Sequence, residues 1–162
     1  MKIIDNYFTD ADFKRITNIF ESPLCPWYYA KGIVDHDDNN ALDDYFFCHM
    51  VYERLQPVSN YFFDLIKILE PKNLGVITRI KCNMYPRTTM VNIHPWHTDS
   101  ITQQLNGALL MLNTCDGFTG FKNGERAYSV ANRMVLFDSS EEHHSTSTSD
   151  ASVRMTLNIN YV

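Results

Sequence analysis

Apolar residues near the start of the chain recur at the spacing of an α-helix. They follow Thr9, and Asp12 three residues later completes the pattern of a capping box. The apolar positions on one helical face are Phe13, Ile16 and Phe20. This segment therefore predicts a short amphipathic helix.

A second helical region is predicted over residues 45–69. Pro57 lies inside it and has no backbone N–H to donate, so we expect the helix to break or kink there. The core-facing stripe of this region is predicted to be Leu55, Val58, Phe62, Leu65 and Leu69.

From Val76 onward the hydrophobic period changes from 3.6 to 2. In "VITRIKCNMY" the side chains of Asn83 and Tyr85 face away from Cys82 and Met84. "GALLMLN" and "RMVLFDS" are typical of buried strands, and "VRMTLNINYV" alternates again. Two short helices followed by strands predict a mainly β fold, with N-terminal helices covering a jelly-roll or β-sandwich core.

The chain of 162 residues suits one domain, with a helical part over about 1–70 and a β core over about 75–162. Apolar residues make up 44% and charged residues 20%, a soluble globular composition. Residues 22–44 are aromatic and polar without periodicity, which favours a lid or rim. Within them, residues 35–44 are polar and turn-rich, which indicates an exposed loop. A calcium loop is the alternative, but the spacing lacks its required glycine and glutamate.

Charge and cysteine usage narrow the class of partner. The net charge is −5 without any basic run, which argues against nucleic acid. No apolar run approaches the roughly 20 residues of a membrane span, and the N-terminus does not resemble a signal peptide. The cysteines lack paired spacing, so we expect reduced thiols and a cytoplasmic protein; they are Cys25, Cys48, Cys82 and Cys115.

The stretch "HPWHTDS" carries candidate metal ligands. His97 and Asp99 point to the same side of an extended segment, and His143 or His144 follows a later strand. Two histidines and one carboxylate form the ligand set of non-haem Fe(II) oxygenases, and a zinc hydrolase can use the same set. Surface polar residues are the alternative. His94 lies beside Pro95, which opposes a helical zinc pair, so it is predicted to form a pocket wall.

Arg154 follows His143 by 11 residues, near the start of the last predicted strand. By alternation it shares a face with Thr156, Asn158 and Asn160. An arginine on a pocket-lining face can make a paired hydrogen bond with a carboxylate of a cosubstrate. The alternative is an arginine on an outer, solvent-facing sheet surface.

Three stretches together resemble the Fe(II)/2-oxoglutarate-dependent dioxygenases, and within them the prolyl-4-hydroxylase-like branch with its small bacteriophage members. They are "HTD", "ANRMVLFDSSEEHHSTSTSD" and "VRMTLNINY", in the family's order across about half the chain. The resemblance implies a double-stranded β-helix, iron bound by His97, Asp99 and the distal histidine, and 2-oxoglutarate bound by Arg154 with help from Thr156. Many members of that branch carry a lysine where this chain has the arginine.

The resemblance also favours His143 over His144 as the distal ligand. In the family pattern this histidine follows the strand phenylalanine, here Phe137, by six residues and precedes a small-residue run, here "STST". Asn83 and Tyr85 resemble a pair that contacts 2-oxoglutarate in the nucleobase-demethylating branch. Two polar residues at a strand edge are the alternative for that pair.

The activity that the resemblance implies is hydroxylation coupled to oxidative decarboxylation of 2-oxoglutarate. It implies Fe(II), 2-oxoglutarate and O2, with ascorbate as a candidate stimulant. Asp99 favours hydroxylation, because related halogenases lack this carboxylate. The expected substrate is a small molecule or a peptide, with prolyl peptide suggested by analogy. A zinc hydrolase, a non-catalytic ligand-binding jelly roll and an oxygenase acting on nucleobases are the alternatives.

Overall fold

The computed structural model of the protein describes residues 1–32, 45–99 and 105–162. Two antiparallel sheets form the framework of this part of the chain. The elements are β1 (Lys2–Ile4), α1 (Asp10–Phe20), β2 (Tyr28–Lys31), β3 (Tyr45–Glu53), β4 (Gln56–Pro57), α2 (Phe62–Leu69), a 3₁₀ turn (Glu70–Lys72), β5 (Ile77–Pro86), β6 (Asn106–Met111), β7 (Phe118–Phe121), β8 (Arg126–Tyr128), β9 (Met134–Asp138), β10 (His143–His144) and β11 (Val153–Tyr161).

The larger sheet has the order β1-β9-β6-β11-β5-β3-β2, with β4 paired to β3, and the smaller has the order β10-β7-β8. Isolated bridges at Arg87, Ile93 and His97 join the segment after β5 to the segment around β10, which extends the smaller sheet. The two sheets face each other as in a double-stranded β-helix, which confirms the predicted fold class.

The first helix forms as its sequence predicts. The Thr9 hydroxyl accepts a hydrogen bond from the Asp12 backbone N–H at 3.2 Å, so the capping box starts α1. Ile16 and Phe20 are buried, and Phe13 packs at the edge of the same core. This core lies between the helices and one face of the larger sheet, where Ile80 and its neighbours on β5 and β11 pack.

The prediction of a helix over residues 45–69 is wrong in its first half. Residues 45–53 form strand β3, which pairs with both β2 and β5. Arg54 and Leu55 then have positive φ angles of 52° and 60°, and Glu53 pairs with Gln56, so these residues form a tight hairpin turn. Aromatic residues and Val51 fit a pleated surface, and pairing with β5 outweighs the helical spacing.

The predicted core stripe is correct only within α2. Leu65 and Leu69 are fully buried and Phe62 packs at the edge of the core, whereas Leu55 and Val58 lie in the hairpin region and are 65% and 55% exposed. The predicted helical part also contributes four strands, so the larger sheet draws on both halves of the chain. A single domain over residues 1–162 stays a prediction.

Truncation of Leu65 should measure what the helix contributes to the core. Leu65→Ala should lower the free energy of unfolding by about 2–5 kcal/mol, because it opens a cavity under α2. Val58→Ala, at an exposed position, should change it by no more than about 0.5 kcal/mol. Denaturant unfolding of both variants checks this, and equal losses would contradict the placement of α2.

No helix in the described ranges combines the length and apolar character needed to cross a bilayer. The four cysteines carry free thiols, as the sequence predicts. Alternation along β5 also holds: Ile80 and Cys82 are buried in the core, and Asn83 and Tyr85 line a cavity on the opposite face. That cavity lies between the two sheets and contains the candidate site.

Candidate active site

The cavity between the sheets has a volume of about 660 Å³. Strands β5 and β11 supply its floor, because their register places the inward side chains of one strand beside those of the other. Arg154 pairs with Tyr85, Thr156 with Asn83, Asn158 with Lys81 and Asn160 with Arg79. Polar side chains at every second position therefore turn inward here, and not to solvent.

The structure brings His97, Asp99 and His143 together at the cavity wall. One ligand atom from each lies within 4.8 Å of the other two. The two histidines form an antiparallel bridge, in which each backbone N–H donates to the other's carbonyl oxygen at 2.9 Å. The Asp99 backbone N–H donates to the Ser139 carbonyl oxygen at 3.0 Å, which fixes the third residue.

Both histidine rings present the nitrogen that a metal needs. The Nδ1–H of His97 donates to the Pro95 carbonyl oxygen at 3.3 Å, and that of His143 donates to the Glu141 carbonyl oxygen at 2.8 Å. Since a carbonyl oxygen only accepts, Nδ1 of each ring carries a proton, and Nε2 is the nitrogen left to bind a metal. Burial, followed by the nearby His143, lowers the pKa of His97 and keeps that ring neutral.

The Asp99 carboxylate is held by three donors. Arg79 Nη2 donates to Oδ1 at 3.0 Å, and the side-chain amides of Asn158 and Asn160 donate to Oδ2 at 3.2 and 3.1 Å. Burial raises the pKa of Asp99, but the charge of Arg79 foremost, then His143 and the two amides, outweigh it and lower the pKa below its ordinary value. Asp99 is therefore an oriented anion. Two imidazoles and this carboxylate fit a divalent transition metal.

Sequence reasoning did not assign these partners of Asp99. Alternation already placed Asn158 and Asn160 on the face of Arg154, and Arg79 on the face of Tyr85. Alternation within the strands cannot predict that Asp99, which lies on a separate loop, contacts the far ends of both strands.

Arg154 is fully buried at the other end of the floor. Its Nη2 donates to the Thr119 hydroxyl at 2.9 Å and its Nη1 to the Thr146 carbonyl oxygen at 3.2 Å, while Nε has no partner. No carboxylate within the described residues pairs with it. Burial lowers the pKa of the guanidinium, the expected result for a cation that lacks a counter-ion. The site suits an anionic ligand.

The other predicted cosubstrate residues line the same cavity. Tyr85 is 6% exposed, and its ring centroid lies 5.6 Å from the Arg154 guanidinium carbon. Asn83 and Thr156 lie side by side on the floor, and the Asn83 amide oxygen has no partner among the described residues. All four residues therefore share a cavity with the histidine and aspartate cluster.

The other histidines in the described ranges lie outside the cluster. His144 points away and packs edge-on against Trp96 at 4.5 Å between ring centroids. His94 is buried, its Nδ1 bonded to the Ser145 hydroxyl at 2.8 Å and its ring beside Tyr85, so it forms part of a pocket wall. Trp96 is 42% exposed on its loop.

Part of the predicted rim, residues 22–32, lies within the described residues. Ala30, Lys31 and Gly32 line the mouth of the cavity, and Trp27 packs at the edge of the core. The acidic stretch at residues 35–44, with His36, lies outside the described residues.

Comparison with known proteins finds similarity in structure but not in sequence. No family model matches the sequence, and no curated protein matches it. An oxidoreductase of the 2OG-Fe(II) oxygenase family from Burkholderia pseudomallei superposes with a TM-score of 0.67 at 12% identity, covering 98% of this chain and 83% of that one. The chain has the fold of these oxygenases.

Two further structures share the fold. A prolyl hydroxylase from Trichoplax adhaerens, in complex with a peptide fragment of the hypoxia inducible factor oxygen degradation domain, has a TM-score of 0.63 at 15% identity, over 99% of this chain and 82% of that one. HygX from Streptomyces hygroscopicus, with nickel, 2-oxoglutarate and hygromycin B bound, has a TM-score of 0.59 at 10% identity, over 98% and 80%.

Proposed function

We propose that the protein is a non-haem Fe(II) oxygenase that couples oxidative decarboxylation of 2-oxoglutarate to hydroxylation of a substrate. The observation that carries this proposal is the fully buried Arg154, which has no anionic partner in the described part of the chain. It shares a cavity with His97, Asp99 and His143. A cation at one end and a metal-ligand cluster at the other suit a dicarboxylate that bridges them.

In this proposal His97, Asp99 and His143 hold Fe(II). When bound, the iron supplies the redox chemistry that consumes O2, with ascorbate as a proposed stimulant. The side chains bind and orient: Arg154 takes the far carboxylate of 2-oxoglutarate, and Thr156 and Tyr85 line its path. Arg79 keeps Asp99 charged and fixed.

The oxygenase proposal explains the site better than a zinc hydrolase does. A hydrolase could use the same three ligands, but it gives no role to a desolvated arginine on the cavity floor. Burial of a guanidinium costs several kcal/mol in general, so retaining one without a counter-ion favours a bound anion. We propose a small-molecule or peptide substrate, and a cytoplasmic location stays a prediction.

Succinate release tests the proposed function. Protein freed of metal by chelation should release succinate and CO2 from 2-oxoglutarate after addition of Fe(II) and air, and the rate should fall to background with Zn(II). Turnover without substrate is expected to be slow but dependent on iron. Equal or greater activity with Zn(II) on an ester or amide substrate, without succinate, would instead support the hydrolase.

Tyr85→Phe should weaken 2-oxoglutarate binding by roughly three- to thirtyfold, because one hydrogen bond to a charged acceptor is lost. Titration of 2-oxoglutarate into the Fe(II)-loaded variant under nitrogen measures this. Tyr128→Phe, at a half-exposed position outside the cavity, is the matched control and should bind as wild type does. Wild-type affinity in Tyr85→Phe would rule out a direct contact with the cosubstrate.

A further inference from the structure

A further cation lines the cavity and has no hydrogen-bond or ion-pair partner among the described residues. Lys81 lies on β5, two positions before Asn83, and lines the cavity floor. Its ammonium lies 4.9 Å from the centroid of the Phe46 ring, which in turn stacks on Tyr85 at 5.6 Å. Among the described residues no hydrogen-bond acceptor or carboxylate lies within bonding distance of it.

Lys81 differs from its neighbouring cations in this respect. Arg79 is paired with Asp99, and Arg154 donates to Thr119 and a backbone carbonyl. Burial lowers the pKa of Lys81, so the weak attraction of more distant anions does not offset its desolvation. An anion placed against the ammonium would reverse that loss.

Along β5, the backbone of Lys81 lies at the metal-cluster end of the cavity floor, four positions from the residue opposite Arg154. The register pairs Lys81 with Asn158, which donates to Asp99, whereas Arg154 pairs with Tyr85. Four residues of strand separate Lys81 from Tyr85, roughly 13 Å at 3.3 Å per residue. The backbone of Lys81 therefore lies on the side of the metal cluster, and Phe46 and Lys31 line the same cavity.

The charged side chains that line the cavity favour binding of a further anion. The lining residues that the structure describes contain one carboxylate, Asp99, and four cations: Lys31, Arg79, Lys81 and Arg154. A divalent ion adds two positive charges and 2-oxoglutarate removes two, so the lining keeps its positive excess. This contrasts with the whole chain, whose net charge is −5. The positive potential is concentrated where a substrate would bind.

We propose that the Lys81 ammonium binds a carboxylate of the substrate, and that the substrate is a small carboxylic acid distinct from the cosubstrate. The proposal rests on the oxygenase function above and names its substrate class. The cavity of about 660 Å³ must hold 2-oxoglutarate as well, which leaves room for a molecule of amino-acid size.

The test compares free L-amino acids and simple carboxylic acids with their primary amides. Binding to the protein loaded with Ni(II) and 2-oxoglutarate is measured by calorimetry under nitrogen, and stimulation of succinate release is measured with Fe(II) in air. At least one acid should bind and stimulate turnover, and its amide should bind about ten- to hundredfold more weakly, since a charge-assisted hydrogen bond is lost. The proposal would be overturned if an amide were as effective as its acid, or if none of the acids bound.

Variants of Lys81 test whether this residue causes the preference for acid over amide. Lys81→Met keeps an apolar side chain beside Phe46 and should abolish the preference for acid over amide without changing 2-oxoglutarate affinity. Lys67→Met, which removes an exposed lysine of α2, should keep the preference. Lys81→Gln serves if the methionine variant does not fold. A preference that survives loss of Lys81, or a loss of 2-oxoglutarate affinity in its place, contradicts the assignment.

These outcomes separate two kinds of failure. Wild-type protein that binds 2-oxoglutarate and releases succinate, yet does not prefer acids, disproves only the substrate class. Wild-type protein that does neither disproves the oxygenase function itself.

Discussion

Arg154→Ala should weaken 2-oxoglutarate binding by about thirtyfold to several thousandfold. Removing one partner of a buried, hydrogen-bonded charge pair costs about 2–5 kcal/mol, and here the cosubstrate carboxylate is left in a dry site. The metal cluster lies at the other end of the strand pair, so Fe(II) affinity should stay near that of wild type. Titration of 2-oxoglutarate into the iron-loaded variant under nitrogen measures the loss.

Arg154→Lys separates the loss of charge from damage to the fold. It keeps a cation in the same pocket, so its affinity should lie between wild type and Arg154→Ala. Arg126→Ala, at an exposed arginine of β8, is the matched control and should bind 2-oxoglutarate normally. Unchanged affinity in Arg154→Ala would remove the argument for the cosubstrate.

His143→Ala should abolish Fe(II)-dependent turnover, while the neighbouring His144→Ala should retain most of it. The ring of His143 lies in the cluster, and that of His144 packs against Trp96. Loss of residues that only support a ligand already costs about 10–100-fold in metal affinity or activity, so loss of the ligand itself should exceed that. Iron content after equilibrium dialysis and succinate release are the two measurements.

The comparison of adjacent histidines needs a check on folding. His144 is buried beside Gly120, and its truncation opens space that should reduce stability without reducing iron binding. Thermal unfolding of both variants separates the two effects. Loss of iron in His144→Ala with iron retained in His143→Ala would transfer the ligand role to His144.

The sequence predicts the floor of the site well because strand alternation is a local rule. Alternation places Arg79, Lys81, Asn83 and Tyr85 on one face of β5, and Arg154, Thr156, Asn158 and Asn160 on one face of β11. In the structure these two faces lie side by side and form the cavity floor. The three metal-ligand candidates also lie together at the cavity wall, and their role as ligands stays a prediction. Their bridge between His97 and His143 depends on pairing across 46 positions, which the family pattern suggested and local spacing could not.

The misses have non-local causes. Strand β3 was predicted as helix because its apolar spacing is ambiguous and its hairpin turn, Arg54 and Leu55, lacks the usual Asn-Gly. The pairing of Arg79 with Asp99 depends on a loop that returns over the sheet. Local spacing also could not predict that Lys81 has no partner among the described residues, because this depends on how distant segments fold around it.

The thermodynamic coupling between iron and 2-oxoglutarate provides the most direct test of a shared site. Equilibrium binding of 2-oxoglutarate is measured under nitrogen on metal-free and on Fe(II)-loaded protein, and iron binding is measured with and without 2-oxoglutarate. One of each ligand should bind per chain, and each should raise the other's affinity by the same factor, on the order of ten or more. Equal 2-oxoglutarate affinity with and without iron, or no binding at all, would contradict a site in which one molecule reaches from Arg154 to the metal cluster.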